Sequence, residues 1–249
     1  MGRQITEAAM LEILIALYPG VTHLDFTGPH QVLSRTPDAR ITAASLGGRD
    51  IEAEGLTFTG LADLAAVPRC DVLLIPGGLT AMEAALDEAF LAQIRRLGGG
   101  ARYLTSVCTG SLILGAAGFL TGRRAACHWA WRDLLPAFGA IVDEGRVVRD
   151  GNLITGGGVT AGIDFAFTLL AELAGETVAQ AVQLGLEYAP APPFNAGRPE
   201  LARPEVLAAY RSRMAPLEPQ RRAQAAEAAA RLSGTRRERV SSTPYPAPG

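Results

Sequence analysis

Four short stretches of the chain are rich in apolar residues, and each stops at glycine, proline or another small residue. They are "LEILIALYPG" (11–20), "DVLLIPGG" (71–78), "ARYLTSVCTG" (101–110) and "NLITGGG" (152–158). Strands apolar on both faces must be covered on both sides, which is the pattern of a parallel sheet inside two helical layers. Segments with helical spacing lie between them; over 81–97, Leu86, Phe90, Ile94 and Leu97 share one face. The alternation predicts an α/β fold, a mostly parallel sheet with helices on both faces. With 249 residues, 48% of them apolar, the chain is long enough for one such domain and an appendage.

The remaining elements follow from the same spacing. Strands are expected over 11–18, 40–46, 71–76, 101–107 and 123–127. Helices are expected over 24–35 (interrupted by Gly28 and Pro29), 81–97, 109–120, 129–138, 160–174 and 177–187. Two alternating runs flank Asp150-Gly151-Asn152, which signals a hairpin. The α/β domain is assigned to 9–190, a C-terminal helical extension to 191–232, and a tail with the composition of a disordered segment to 233–249. The arginines of the extension, Arg211, Arg213, Arg221, Arg222 and Arg231, read as a solvated helix face.

Composition narrows the chemistry. There is no lysine, so all 23 basic residues are arginine, and Schiff-base or P-loop chemistry falls away. Three cysteines and three histidines, with no CxxC pair, argue against a metal site and a disulfide framework. A formal net charge of −2 gives no reason to expect nucleic acid or an anionic membrane as partner. The apolar N-terminal run is broken by Glu12 and reads as a core strand rather than a signal peptide. A cytoplasmic protein without membrane spans, metal or organic cofactor is expected.

One cysteine stands apart. In "SVCTG", Cys108 sits in a small-x-nucleophile-x-small frame where a strand ends and a helix begins. Such an elbow lifts its side chain at the carboxyl edge of the sheet, and a helix N-terminus favours thiolate. The Thr109 amide points at the same spot, one half of an oxyanion-type hole. After another strand, Gly77 and Gly78 allow close backbone approach, and the Gly78 amide is the natural second donor. Asp25, just beyond the first strand, is either a helix cap or a carboxyl group of raised pKa that exchanges protons with Cys108. His128 either faces the site or caps the following segment, whereas Cys70 and Cys127 read as packing residues. Amide hydrolysis requires a base for the thiol and an acid for the leaving amine, and no evident Cys-His pair supplies them.

"LLIPGG", "TSVCTGSLILGAAGFLTGRRAACHW" and "DGNLITGGGVTAGIDFAFTLLAEL" resemble the DJ-1/PfpI superfamily over roughly residues 11–187. Within it, "LDFTGPHQVL", "VVRDGNLITGGGVTAGIDFA" and "LEYAPAPPFNAG" are similar to the isocyanide hydratase branch. The resemblance implies a flavodoxin-like three-layer sandwich and a homodimer. It implies Cys108 as nucleophile, Asp25 as acid/base in a position where many members carry Glu, and Thr109 where protease-like members carry His. Gly78 and Thr109 would supply backbone donors, and Val159 would lie near the site. The implied reaction adds water to an isocyanide through a Cys108 thioimidate, giving an N-substituted formamide. The superfamily also implies alternatives: a redox sensor, a glyoxalase-like or other cysteine hydrolase, or the ligand-sensing domain of an AraC-type regulator. That last class carries helix-turn-helix units after the domain, where one helix and a proline-rich tail are expected here.

Overall fold

A computed structural model describes residues 10–241 of the chain, with side-chain surroundings described to residue 234. The tail expectation for 242–249 therefore lies outside the described residues. The elements are β1 (Leu11–Ala16), α1 (Leu24–Leu33), β2 (Ala39–Ser45), β3 (Ile51–Ala53), β4 (Leu56–Phe58), β5 (Ala62–Asp63), β6 (Val72–Ile75), α2 (Ala81–Ala84) and α3 (Glu88–Gly98). They continue with β7 (Tyr103–Val107), α4 (Gly110–Ala116), β8 (Arg124–Ala125), β9 (Ile141–Val142), β10 (Val147–Asp150), β11 (Leu153–Gly156), α5 (Ala161–Ala174) and α6 (Glu176–Gly185). The extension is α7 (Pro204–Met214) and α8 (Glu218–Ser241).

The main sheet has the order β10-β11-β7-β6-β1-β2-β5. Every pairing in it is parallel except β10–β11, the hairpin at Asp150-Gly151-Asn152. β1, β6 and β7 supply its buried centre, with Ile13, Leu14, Ile15, Leu73, Leu74 and Val107 almost wholly removed from water. α5 packs on α1 and α6, while α4 contacts α2, α3 and α8, so helical layers sandwich the sheet. The chain runs from β1 outward to β2 and then returns to β6 on the other side of β1. That reversal opens a crevice at the carboxyl ends of β1 and β6, where open α/β sheets bind ligands.

Several elements differ from expectation for local reasons. The helix expected over 81–97 is two, because Asp87 accepts from the amides of Ala89 and Phe90 and restarts the chain as α3. Residues 132–138 form a 3₁₀ segment with Pro136 inside it rather than an α-helix. The β3–β4 hairpin turns through Glu54 and Gly55, both at positive φ. The extension holds two helices joined by a 3₁₀ turn (Ala215–Leu217) instead of one. It docks on the domain through Ala225 and Ala228, both buried, and an Arg222–Asp133 ion pair at 2.7 Å. α8 also takes in residues 233–241 of the segment read as a tail. Among the described residues no helix is long and apolar enough to cross a membrane.

Candidate active site

Three loops meet at the carboxyl edge of the sheet. Cys108 follows β7 with φ +59°, a left-handed conformation that an L-residue adopts only at a cost of about 1 kcal/mol or more. The strain is held from both sides. The Cys108 N–H donates to the carbonyls of Gly156 (3.1 Å) and Gly157 (2.8 Å), locking the elbow onto the end of β11. On the other side α4 begins at Gly110, where a Cβ would lie 2.1 Å from the Ile75 carbonyl oxygen. Only glycine lets α4 leave the sheet at that angle, so the "small" residue of the frame is a packing requirement.

Asp25 lies in the first turn of α1 and is 0% exposed. Its Oδ2 accepts from the Gly77 N–H at 2.8 Å, while Oδ1 has no protein hydrogen-bond partner of normal geometry. Burial pushes its carboxyl from an ordinary 3.8 up to about 7; the Gly77 bond and the adjacent Cys108 thiol pull in the opposite direction. The thiol, 6% exposed, is likewise pushed up, first by burial and then by the charge of Asp25. The amides of Val159 and Thr109 donate to its sulfur and moderate the shift. An acid and a thiol thus share a dry pocket, and each resists ionisation while the other is charged.

Gly77 is what seats the carboxyl. A Cβ there would come 2.5 Å from the Thr109 nitrogen and 2.9 Å from Asp25 Oδ2. Tyr18, at the end of β1, donates to the Pro76 carbonyl at 3.0 Å and pins the same loop.

The structure brings Asp25, Gly78, Cys108, Thr109 and Val159 together but alters the reading of one of them. The Gly78 N–H donates to Thr109 Oγ1 at 3.0 Å, and the Thr109 hydroxyl returns a bond to the Gly78 carbonyl at 3.2 Å. The donor expected from Gly78 is therefore engaged in fixing Thr109. The amides aimed at sulfur are those of Thr109 and Val159. His128 accepts from the Ala130 amide through Nδ1 at 3.2 Å, and burial lowers its pKa to about 4, so it is a neutral wall residue at working pH. Cys127 is buried, and burial pushes its pKa up to about 12, which disfavours its thiolate. Among the described residues no group of three or more His, Cys, Asp or Glu side chains is arranged to hold a metal ion.

A cleft of about 260 Å³ opens next to the elbow; Gly157 and Val159, both bonded to Cys108, share its wall with Cys127, His128 and Trp129. A separate cleft of about 490 Å³ lies on the outer side of Tyr18, lined in part by Leu46, Thr80 and Phe90. Neither cleft has Cys108 or Asp25 in its wall, but the smaller one shares Gly157 and Val159 with the elbow.

The DJ-1/PfpI family model matches residues 11–172, which span every element of this site. The chain belongs to the DJ-1/PfpI family. Among the relatives of this DJ-1/PfpI protein, an isonitrile hydratase from Pseudomonas putida is 50% identical over 210 residues, covering 83% of this chain and 91% of that one. A THiJ/PfpI family protein from Pseudomonas syringae has a TM-score of 0.83 at 40% identity, covering 92% of this chain and 96% of that one. DJ-1beta from Drosophila melanogaster has a TM-score of 0.63 at 27% identity and covers 72% of this chain and 99% of that one. The mostly parallel seven-stranded sheet is thus the fold of the family.

Proposed function

We propose that this DJ-1/PfpI protein hydrates isocyanides (R–NC) to N-substituted formamides, with Cys108 as nucleophile and Asp25 as acid/base. The observation that carries the reading is the half-identity to an isonitrile hydratase over nearly the whole of that enzyme. The chemistry of the site agrees with it. The terminal carbon of an isocyanide accepts a nucleophile and a proton at the same atom. Sulfur bonds to that carbon, the S–H bond breaks, and the proton reaches the carbon through Asp25, leaving Cys–S–CH=N–R. Water then adds to the C=N carbon with Asp25 taking and returning its proton. The C–S bond breaks, and HC(=O)NHR leaves with Cys108 restored as a thiol.

One proton shared between two groups of raised pKa is what this sequence requires, and no leaving amine has to be protonated. That fits a site where Thr109 follows the nucleophile and the nearby His128 is neutral. The amides of Thr109 and Val159 hold the sulfur as it takes up and releases charge. No step draws on a cofactor. The substrate's R group has room in the cleft beside His128 and Trp129.

Incubation with an alkyl and an aryl isocyanide, followed by NMR, is expected to show the formamide. Cys108→Ala should form none, and undiminished turnover in that variant would sink the mechanism. We also read the molecule as a homodimer, with Leu184, Phe194 and Leu201 as exposed apolar side chains available to an interface; light scattering checks the mass. Three unpaired cysteines suit a reducing compartment, the cytoplasm.

A further inference from the structure

Arg221 lies on α8, beyond the residues that the family model matches, and it behaves unlike the solvated arginines expected there. It is 8% exposed, and among the described residues it and Asp25 are the only Arg, Asp or Glu side chains that are buried. Its guanidinium lies 4.1 Å over the ring of Trp131 and makes one hydrogen bond, from Nη2 to the Leu79 carbonyl at 2.9 Å. Among the described residues no carboxylate lies within ion-pair distance of it, and the Leu79 carbonyl is its one hydrogen-bond acceptor. Burial disfavours its charged form, and negative charge nearby, first that of Glu83 on α2 and then that of a Cys108 thiolate, favours it.

Leu79 closes the loop that organises the reacting pair. The Gly77 amide holds Asp25, Gly78 holds Thr109, and the next carbonyl is the one that Arg221 grips. We propose that Arg221 is a positioning residue of the thiol site: it clamps the Gly77–Leu79 loop from outside and supplies the positive charge that offsets a Cys108 thiolate. The two C-terminal helices are then part of the catalytic unit and not an appendage.

The surrounding charges fit this role. Arg221 interacts electrostatically with Cys108, with Tyr18 at the end of β1, with Tyr210 on α7 and with His128; Glu83 on α2 faces it from the solvent side. The thiol itself is faced by Asp25 from α1 and Cys127 from the segment after β8, both of which disfavour ionisation. Arg221 adds a positive charge that works against them, beside the Val159 and Thr109 amides. The inference rests on the reading of Cys108 as the nucleophile.

The test is the pH profile of Cys108 alkylation by iodoacetamide, with the modified peptide identified by mass spectrometry. It is measured for wild type, Arg221→Met, Arg221→Lys and Arg222→Gln. Arg221→Met is expected to move the midpoint upward and slow labelling at pH 8 by roughly 5- to 10-fold. Arg221→Lys should recover most of the rate, and Arg222→Gln, one residue along the same helix, should match wild type. Arg221→Gln, which keeps a donor for Leu79, carries the comparison if the Met variant does not fold. Superimposable wild-type and Arg221→Met (or Arg221→Gln) profiles, or an equal shift in Arg222→Gln, would overturn the proposal. Labelling requires no isocyanide. A shifted profile in a protein that yields no formamide sinks the functional reading alone, and an unshifted profile with formamide production sinks the Arg221 role alone.

Discussion

Asp25 carries the sharpest consequences at the level of single residues. Turnover requires one proton between it and Cys108, and with the carboxyl titrating at about 7, acid adds a second proton to the pair. The expected kcat/KM falls tenfold per pH unit below about 7 and levels off above it; a flat profile between pH 5 and 8 contradicts the assignment. The same shift bears on stability. The folded state favours the neutral carboxyl, so the stability it contributes is complete below pH 3.8 and lost as pH rises to about 7. Asp25→Asn never ionises and should be more stable than wild type at pH 8, by no more than about 4 kcal/mol, with the gap closing towards pH 4. Thermal melts at the two pH values check this, and the variant should form almost no formamide. Cys108 offers a parallel case. Its φ of +59° suits glycine, so Cys108→Gly should melt no lower than Cys108→Ala despite the smaller side chain.

At the level of elements, the site is a meeting of three strand ends, and glycine sets the distances between them. Gly77→Ala would place a Cβ among Thr109 N, Thr109 Oγ1 and Asp25 Oδ2, all within 2.9 Å. The carboxyl must then move, and turnover is expected to fall at least about 100-fold. A crystal structure of the variant with Asp25 unmoved would contradict this. Much of the arrangement was legible from sequence, because apolar strands ending in small residues have few ways to fold. Cys108, Asp25 and the Gly77–Gly78 pair could be assigned to one edge for that reason. Their bonds could not. That Gly78 turns its amide to Thr109 while Gly77 turns its own to Asp25 depends on backbone rotation, which leaves no mark in residue type. The split of the helix over 81–97 was visible in Asp87, an N-cap residue inside an otherwise continuous apolar stripe.

For the molecule as a whole, the extension matters more than its composition suggested. Five arginines in an Ala- and Glu-rich extension look solvated one by one. What sequence cannot display is that Trp131, ninety residues earlier by number, offers one of them a ring to lie on. A chain ended after residue 190 would uncover Trp131, which is 4% exposed in the intact protein. Its fluorescence should shift to the red and its melting temperature fall; emission identical to that of the full chain would show that α7 and α8 do not cover this face.

The carboxyl and the thiol are held chiefly by peptide groups: the Gly77 amide on Asp25, the Gly156 and Gly157 carbonyls and the Val159 and Thr109 amides on Cys108. Peptide groups are common to all residues. Mutations in the cleft wall can therefore retune which R group is admitted without disturbing the reacting pair. In a laboratory selection for new substrates, changes should accumulate at positions such as Trp129 while residues 77, 108 and 110 stay fixed.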